Sequence, residues 1–252
     1  MIADTHIHTR FSNDSTAEMD EYCMEALASG VNILCFTDHV DNNINDPGLH
    51  FYRPDDFFEN LESAKRRYGD KLIILAGMEF AEAHDHNARL ENLCRQYPYD
   101  FVLGSVHFWA GDLFASELAE SGMPLKECFD LYWMEIVKLT ENGGFDSLAH
   151  INFPQRYFGR IDYNEKLIKR ALTTIVNQNI ALEINMGGGL LPDETILAWY
   201  KECGGRLITF GSDAHSSQDL AFGWQGVNQI AKEMGFKIVY YKNRKPVNVS
   251  LL

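Results

Sequence analysis

Residues 72–80 read LIILAGMEF, an apolar run of strand length that meets a carboxylate, Glu79, just before its end. Such a run suits a strand buried on both faces, the kind that fills a parallel sheet. A carboxylate there is costly to leave unpaired, so Glu79 needs either an ordinary arginine partner or a bound cation. Six further runs share this character: MIADTHIH (1–8), NILCFTDH (32–39), FVLGSVHF (101–108), SLAHI (147–151), IALEINM (180–186) and LITFGSDAH (207–215). Together they predict seven buried strands. Between them lie amphipathic segments, in which Leu125, Phe129, Tyr132, Ile136 and Leu139, and later Leu220, Trp224, Val227, Ala231 and Met234, step by three and four as a helix face requires.

Strand and helix in alternation imply parallel strands with right-handed crossovers, and seven such repeats suit a closed α/β barrel better than an open doubly wound sheet. No linker rich in Pro, Ser or Gly divides the chain, so residues 1–252 are expected to form one domain. The last segment, FKIVYY, KNRK and PVNVSLL, reads as a closing hairpin outside the main repeat.

Functional groups in parallel α/β folds gather at the carboxyl ends of the strands. Here those ends carry His6 and His8, then Asp38 and His39, Glu79, His107, His150, and Asp213 with His215. The sixth run ends without an ionisable group, in Asn185 and a Gly-rich turn. Six of the nine histidines fall at strand ends, leaving His50, His84 and His86 elsewhere. In His6-x-His8, and again in Asp213-x-His215, the two side chains share one strand face because the period is two. Imidazole and carboxylate without thiolate are ligands for Zn, Mn or Fe, and the absence of cysteine points to hydrolytic metal chemistry. Each motif alone also fits a buried, hydrogen-bonded histidine; all six ends together favour several bound metals.

Composition narrows the alternatives. With 46% hydrophobic and 12% aromatic residues, the chain can bury a large core. A net charge of −14 disfavours nucleic acid as a partner, and the basic stretch KNRKP (242–246) reads as a solvated edge loop. Five scattered cysteines (23, 35, 94, 128, 203) contain no Cys-x-x-Cys pair and read as core thiols. No apolar stretch approaches the ~20 residues of a membrane span, and no basic-then-apolar signal begins the chain, so a cytoplasmic protein without a membrane partner is expected.

Taken in order, His6-x-His8, Thr37-Asp38-His39, Glu79, His107, His150 and Gly211-Ser212-Asp213-Ala214-His215 resemble the motifs of the polymerase and histidinol phosphatase (PHP) superfamily. The resemblance implies a distorted seven-stranded (β/α)7 TIM-like barrel around three divalent metal ions. It would place His6, His8, Glu79 and Asp213 on one ion, Glu79 with His107 and His150 on a second, and Asp14, His39 and His215 on a third. Glu79, Asp213 and His215 then count among the catalytic residues. In some relatives the position of Asp14 is a histidine. The monofunctional histidinol phosphatases are the nearest resemblance, since the chain reads as a lone catalytic domain with a similar closing segment. This implies hydrolysis of L-histidinol phosphate, with another small phosphoester or a nucleotide as the alternative.

Two metals about 3.5 Å apart can share a hydroxide of pKa about 7 and clamp phosphoryl oxygens. Arg156 and Arg160, in FPQRYFGRID (153–162) after His150, offer a cationic fork for phosphate. Arg160 is preferred, because Gly159 would let the loop turn inward, although a surface pairing to Asp162 or Glu165 weighs equally. Asp38 reads as a hydrogen-bond acceptor or a proton-transfer group, and Asp4 as an acid that orients a histidine ring. Glu82, His84, Trp109 and Tyr157 are available at the rim for an amine or imidazole. An amidohydrolase is disfavoured, since the third strand supplies Glu79 and no lysine, and a non-catalytic remnant would be expected to have lost ligands.

Overall fold

The computed structural model describes residues 1–189 and 192–249. Its strands are β1 (Ala3–Ile7), β2 (Ile33–Phe36), β3 (His39–Val40), β4 (Ile73–Ala81), β5 (Phe101–Ser105), β6 (Phe108–Trp109), β7 (Leu113–Phe114), β8 (Ser147–Leu148), β9 (Ala181–Asn185), β10 (Leu207–Gly211), β11 (Lys237–Lys242) and β12 (Lys245–Asn248). The helices are α1 (Met19–Ser29), α2 (Pro54–Tyr68), α3 (Ala83–Gln96), α4 (Ala115–Glu120), α5 (Leu125–Asn142), α6 (Gln155–Phe158), α7 (Glu165–Asn177), α8 (Glu194–Glu202) and α9 (Trp224–Met234).

One sheet runs in the order β1-β2-β4-β5-β8-β9-β10-β11-β12, with β3 beside β4. Every pairing in it is parallel except β11 with β12. The fold is therefore α/β around a mostly parallel sheet, and because the parallel strands follow chain order, their carboxyl ends share one rim. The seven expected runs correspond to β1, β2, β4, β5, β8, β9 and β10, but the sheet has ten strands. Two of the additions belong to the terminal hairpin, which was expected outside the repeat. Instead β11 pairs with β10, Leu207 opposite Lys237, and extends the sheet. The KNRKP stretch makes its turn, with Asn243 and Arg244 both at positive φ, and Arg244 pairs with Asp146 and donates to Gly144 O at 2.8 Å. The end of PVNVSLL, residues 250–252, lies outside the described residues.

Between β1 and β10 there is no continuous ladder. The carboxyl end of β1 instead meets the residues that follow β10, where Asp213 N donates to His6 O and His8 N to Ala214 O, both at 2.9 Å. Asp213 has φ +58°, a left-handed conformation unusual for a side chain with a Cβ. It lies two residues past β10 and turns the chain toward the end of β1.

The helices bury the faces their spacing predicted. Phe129, Tyr132, Ile136 and Leu139 of α5 are buried, as are Val227 and Ala231 of α9. The second pattern starts late, because Gly223 at φ +84° caps α9 and separates it from Leu220. Among the described residues, no helix is long and apolar enough to cross a membrane.

Candidate metal centre

At the rim of the sheet, the apolar run of β4 delivers Glu79 into the middle of five imidazoles. Oε1 lies 2.7 Å from His150 Nε2 and 3.2 Å from His107 Nε2. Oε2 lies 3.0 Å from His39 Nδ1, 3.2 Å from His6 Nε2 and 3.6 Å from His8 Nε2. Asp213 Oδ1 faces His8 at 3.1 Å and His6 at 3.5 Å. Asp14 Oδ2 reaches His215 at 3.2 Å and His39 at 3.4 Å. The ring of His8 lies between those of His39 and His215, each centroid 4.2 Å away. All nine residues proposed as ligands are thus brought together.

Their donor atoms fall within 4.8 Å of one another in four overlapping groups: His6, His8 and Asp213; His6, Glu79 and His150; His39, Glu79 and His107; and His8, His39 and His215. The first group matches three of the four ligands expected on the first ion. His107 and His150 share Glu79 Oε1 but fall into different groups, and it is His8 that groups with His39 and His215, while Asp14 stands beside that pair on the outer side. Imidazole and carboxylate without thiolate, buried and convergent, fit divalent cations.

The rings are oriented by residues behind them. His6 Nδ1 lies 2.7 Å from Glu183 Oε1, which leaves Nε2 toward Glu79. Glu183 also accepts from His150 N at 2.9 Å and from Asn185 Nδ2 at 3.1 Å. The sequence reading passed over Glu183, although a carboxylate inside the apolar run IALEINM carries the same signal as Glu79. Asp4, expected to orient a ring, does not: it accepts from the backbone nitrogens of His6, Ser212 and Ala221, and so ties β1 to the end of β10. Asp38 accepts from Thr9 N, Thr9 Oγ1 and Ser12 Oγ at 2.6 to 2.8 Å, and Ser12 Oγ in turn stands 3.2 Å from His8 Nδ1. Its geometry is that of the hydrogen-bond acceptor, holding Ser12 behind the His8 ring.

Crowding sets the charges. Burial opposes a proton on His6, but Glu183, Asp213 and Glu79 raise its pKa well above the ordinary value. Burial, followed by the neighbouring His39 and His215, holds His8 well below it. Burial would raise Glu79, yet His6, His39 and His107 outweigh it and keep the carboxylate ionised. The cluster therefore holds protons that a cation would displace.

Seven of the nine proposed ligands, all but His6 and His8, line a cavity of 510 Å³. Arg156 reaches it, with its terminal nitrogen 2.6 Å from Asp213 Oδ2 and 2.8 Å from Asn185 Oδ1, while its buried Nε has no acceptor among the described residues. Arg160 is exposed and away from the cavity wall, so the preference for it is reversed. The physical reason is Gly159, which at φ +64° caps the short α6 and lets that helix, not the following loop, present its arginine. Of the four rim candidates, only Tyr157 lines the cavity. Glu82 is buried against the His107 and Phe108 nitrogens, where burial pushes its carboxyl up to about 7. His84 pairs with Glu135, and Trp109 donates to Cys128 O.

Comparison with known proteins places this geometry. The PHP domain model matches residues 4–187. The chain belongs to the PHP domain family. Its PHP domain is similar to a probable histidinol-phosphatase of Clostridium acetobutylicum, at 30% identity over 97% of this chain and 98% of the relative. It is also similar to the histidinol-phosphatase of Lactococcus lactis, at 27% identity over 92% of this chain and 91% of that one. A crystal structure of the Lactococcus lactis histidinol phosphate phosphatase, complexed with Zn, L-histidinol and phosphate, superposes with a TM-score of 0.85 at 24% identity, covering 98% of both chains. A structure of the putative histidinol phosphatase of Listeria monocytogenes gives 0.75 at 18% identity, covering 89% of this chain and 99% of that one.

Proposed function

We propose that residues 1–252 act as a single metallophosphoesterase domain that hydrolyses L-histidinol phosphate to L-histidinol and phosphate in the cytoplasm. What carries the reading is Glu79, buried with both oxygens turned to histidines on the floor of a cavity that Arg156 enters. A full-length relative at 30% identity bearing the phosphatase name supports the substrate. The reading includes closure of the seven parallel strands into a distorted barrel, supported by the Asp213 to His6 and His8 to Ala214 hydrogen bonds that join β1 to the end of β10.

His6, His8, Asp14, His39, Glu79, His107, His150, Asp213 and His215 would hold up to three divalent ions, of Zn, Mn or Fe. Ions so bound supply Lewis acidity toward the phosphoryl oxygens and a water acidified to near neutral pH. Glu79, with histidines on both oxygens, keeps adjacent ligand groups in register. Asp213 holds Arg156 beside them through Oδ2 while its Oδ1 faces His6 and His8. The Arg156 guanidinium, held at the cavity wall, would donate to a phosphoryl oxygen and stabilise charge that grows as the ester bond breaks. Glu183 and Ser12 fix the His6 and His8 rings, so that little reorganisation accompanies the reaction.

A panel of histidinol phosphate, nucleoside monophosphates and short oligonucleotides tests the substrate. The reading expects kcat/KM for histidinol phosphate to exceed the others by about a hundredfold or more, the order of discrimination that placed polar contacts provide. Fast nucleotide turnover beside negligible histidinol phosphate turnover would replace it with a nucleotide phosphatase of the same family.

A further inference from the structure

The sixth of the expected runs ends with β9 at Asn185, without an ionisable group, and leads into the glycines at 187, 188 and 189. Asn185 is wholly buried, and its amide uses both donors and both acceptor positions. Oδ1 accepts from Arg156 Nη2 and from Gly187 N, each at 2.8 Å. Nδ2 donates to Glu183 Oε2 at 3.1 Å and to Asp213 Oδ2 at 3.4 Å. The glycine turn extends the contact with the arginine. A Cβ at Gly187 would stand 2.7 Å from Asp213 Cβ and 3.1 Å from Arg156 Nη2, and one at Gly188 would stand 3.1 Å from Arg156 Cγ and 3.2 Å from its Cδ. Residues without a side chain let the backbone lie this close, and φ +70° at Gly188 favours glycine as well. The ring of Phe153 lies 5.3 Å from the guanidinium carbon.

Arg156 stands on the four-residue α6, and a long side chain keeps much rotamer freedom unless something beyond its own helix holds it. Asp213 is one such partner, but it is also among the proposed metal ligands. Asn185 is the other acceptor, and its neutrality matters. A carboxylate in its place would face Glu183 and Asp213 as a like charge, and would neutralise more of the guanidinium that a phosphate is to meet. An amide accepts from the arginine and donates to both acids at once. We propose that Asn185, together with the Gly187–Gly188 turn, is the seat of Arg156, a positioning residue that holds the guanidinium where phosphate binds. The inference rests on the reading above that Arg156 meets the phosphate, but not on histidinol as the alcohol.

The test is a double-mutant cycle in the zinc-loaded protein, with inorganic phosphate as the probe and titration calorimetry as the readout. Arg156→Ala should weaken phosphate binding by about a hundredfold and Asn185→Ala by about tenfold, the order expected of hydrogen bonds to a charged group. Bound zinc per chain should stay unchanged in Asn185→Ala, and KM for a phosphoester should rise in step with the phosphate Kd. Added to Arg156→Ala, Asn185→Ala should change little, because the arginine through which it acts is gone. Gly188→Ala, whose new Cβ would press on the arginine stem, should weaken phosphate severalfold in the wild type and not in Arg156→Ala, and serves if Asn185→Ala does not fold. An Asn185→Ala effect that is equal in both backgrounds, or absent from the wild type, overturns the proposal. So does a fall in bound zinc in Asn185→Ala, which would place its role at the metal ligands. If Arg156→Ala leaves phosphate affinity unchanged, the reading of Arg156 fails and the seat falls with it; if Arg156→Ala weakens phosphate and Asn185→Ala does not, that reading stands and the seat alone falls.

Discussion

Glu183 shows how much of the cluster depends on a residue outside the proposed ligand set. Its carboxylate takes the Nδ1 hydrogen of His6 and the backbone nitrogen of His150, so one side chain orients two ligands on different strands. Glu183→Gln keeps the shape and removes the charge, and zinc affinity in a competition titration should fall by about 10- to 100-fold. Unchanged affinity would show that packing alone sets the ring. Asp38 gives a pH signature. Burial raises its pKa from 3.8 to about 6 against the opposing hydrogen bonds of Thr9 and Ser12, so the folded state holds the proton more tightly than the unfolded chain. The associated stability is present below pH ~4 and lost as pH rises through 6, about 3 kcal/mol in all. Metal-free Asp38→Asn should lose that much less stability between pH 4 and 6.5 in denaturant titrations, whereas parallel curves would contradict the assignment. The convergence of the proposed ligands was legible because ionisable residues stood at the ends of apolar runs. Glu183 escaped notice inside a run, since the run shows that a residue is buried but not which neighbour it meets.

Among the elements, the approach of β10 to β1 controls the centre. Gly211 lies where a Cβ would stand 2.3 Å from Glu183 Oε1 and 2.5 Å from His6 Cβ, both atoms of rigidly held side chains. Gly211→Ala should cost about 1–3 kcal/mol of stability from overpacking and should lower zinc affinity as well, read by thermal unfolding and by metal titration. A stable variant with normal zinc binding would mean that the two strands adjust freely. The small residues of GSDAH permit this close approach, and their type is visible in the sequence. What they did not announce was the left-handed turn at Asp213, which joins the two strand ends. The same limit explains the arginines. FPQRYFGRID holds both, and only the four-residue α6, ended by Gly159, decides that Arg156 enters the cavity. Elements this short leave no periodicity to read.

For the whole molecule, parallel strands in chain order put the ends of β1, β4, β5, β8 and β10 on one rim, and the ionisable residues carried there form a single cavity. Arg156 is the one arginine or lysine on that wall among the described residues, set against Asp14, Asp41, Asp46, Glu79, Glu117 and Asp213. So acidic a pocket would repel a phosphate ester unless cations were bound in it. That makes metal dependence the central claim. It is tested most directly by stripping the protein with a chelator, reloading it with zinc, and following bound zinc per chain together with histidinol phosphate turnover. The account predicts an inactive stripped protein that takes up two or three ions per chain and regains activity as they bind. Fewer than two ions after full reloading, or turnover that survives stripping, would contradict it.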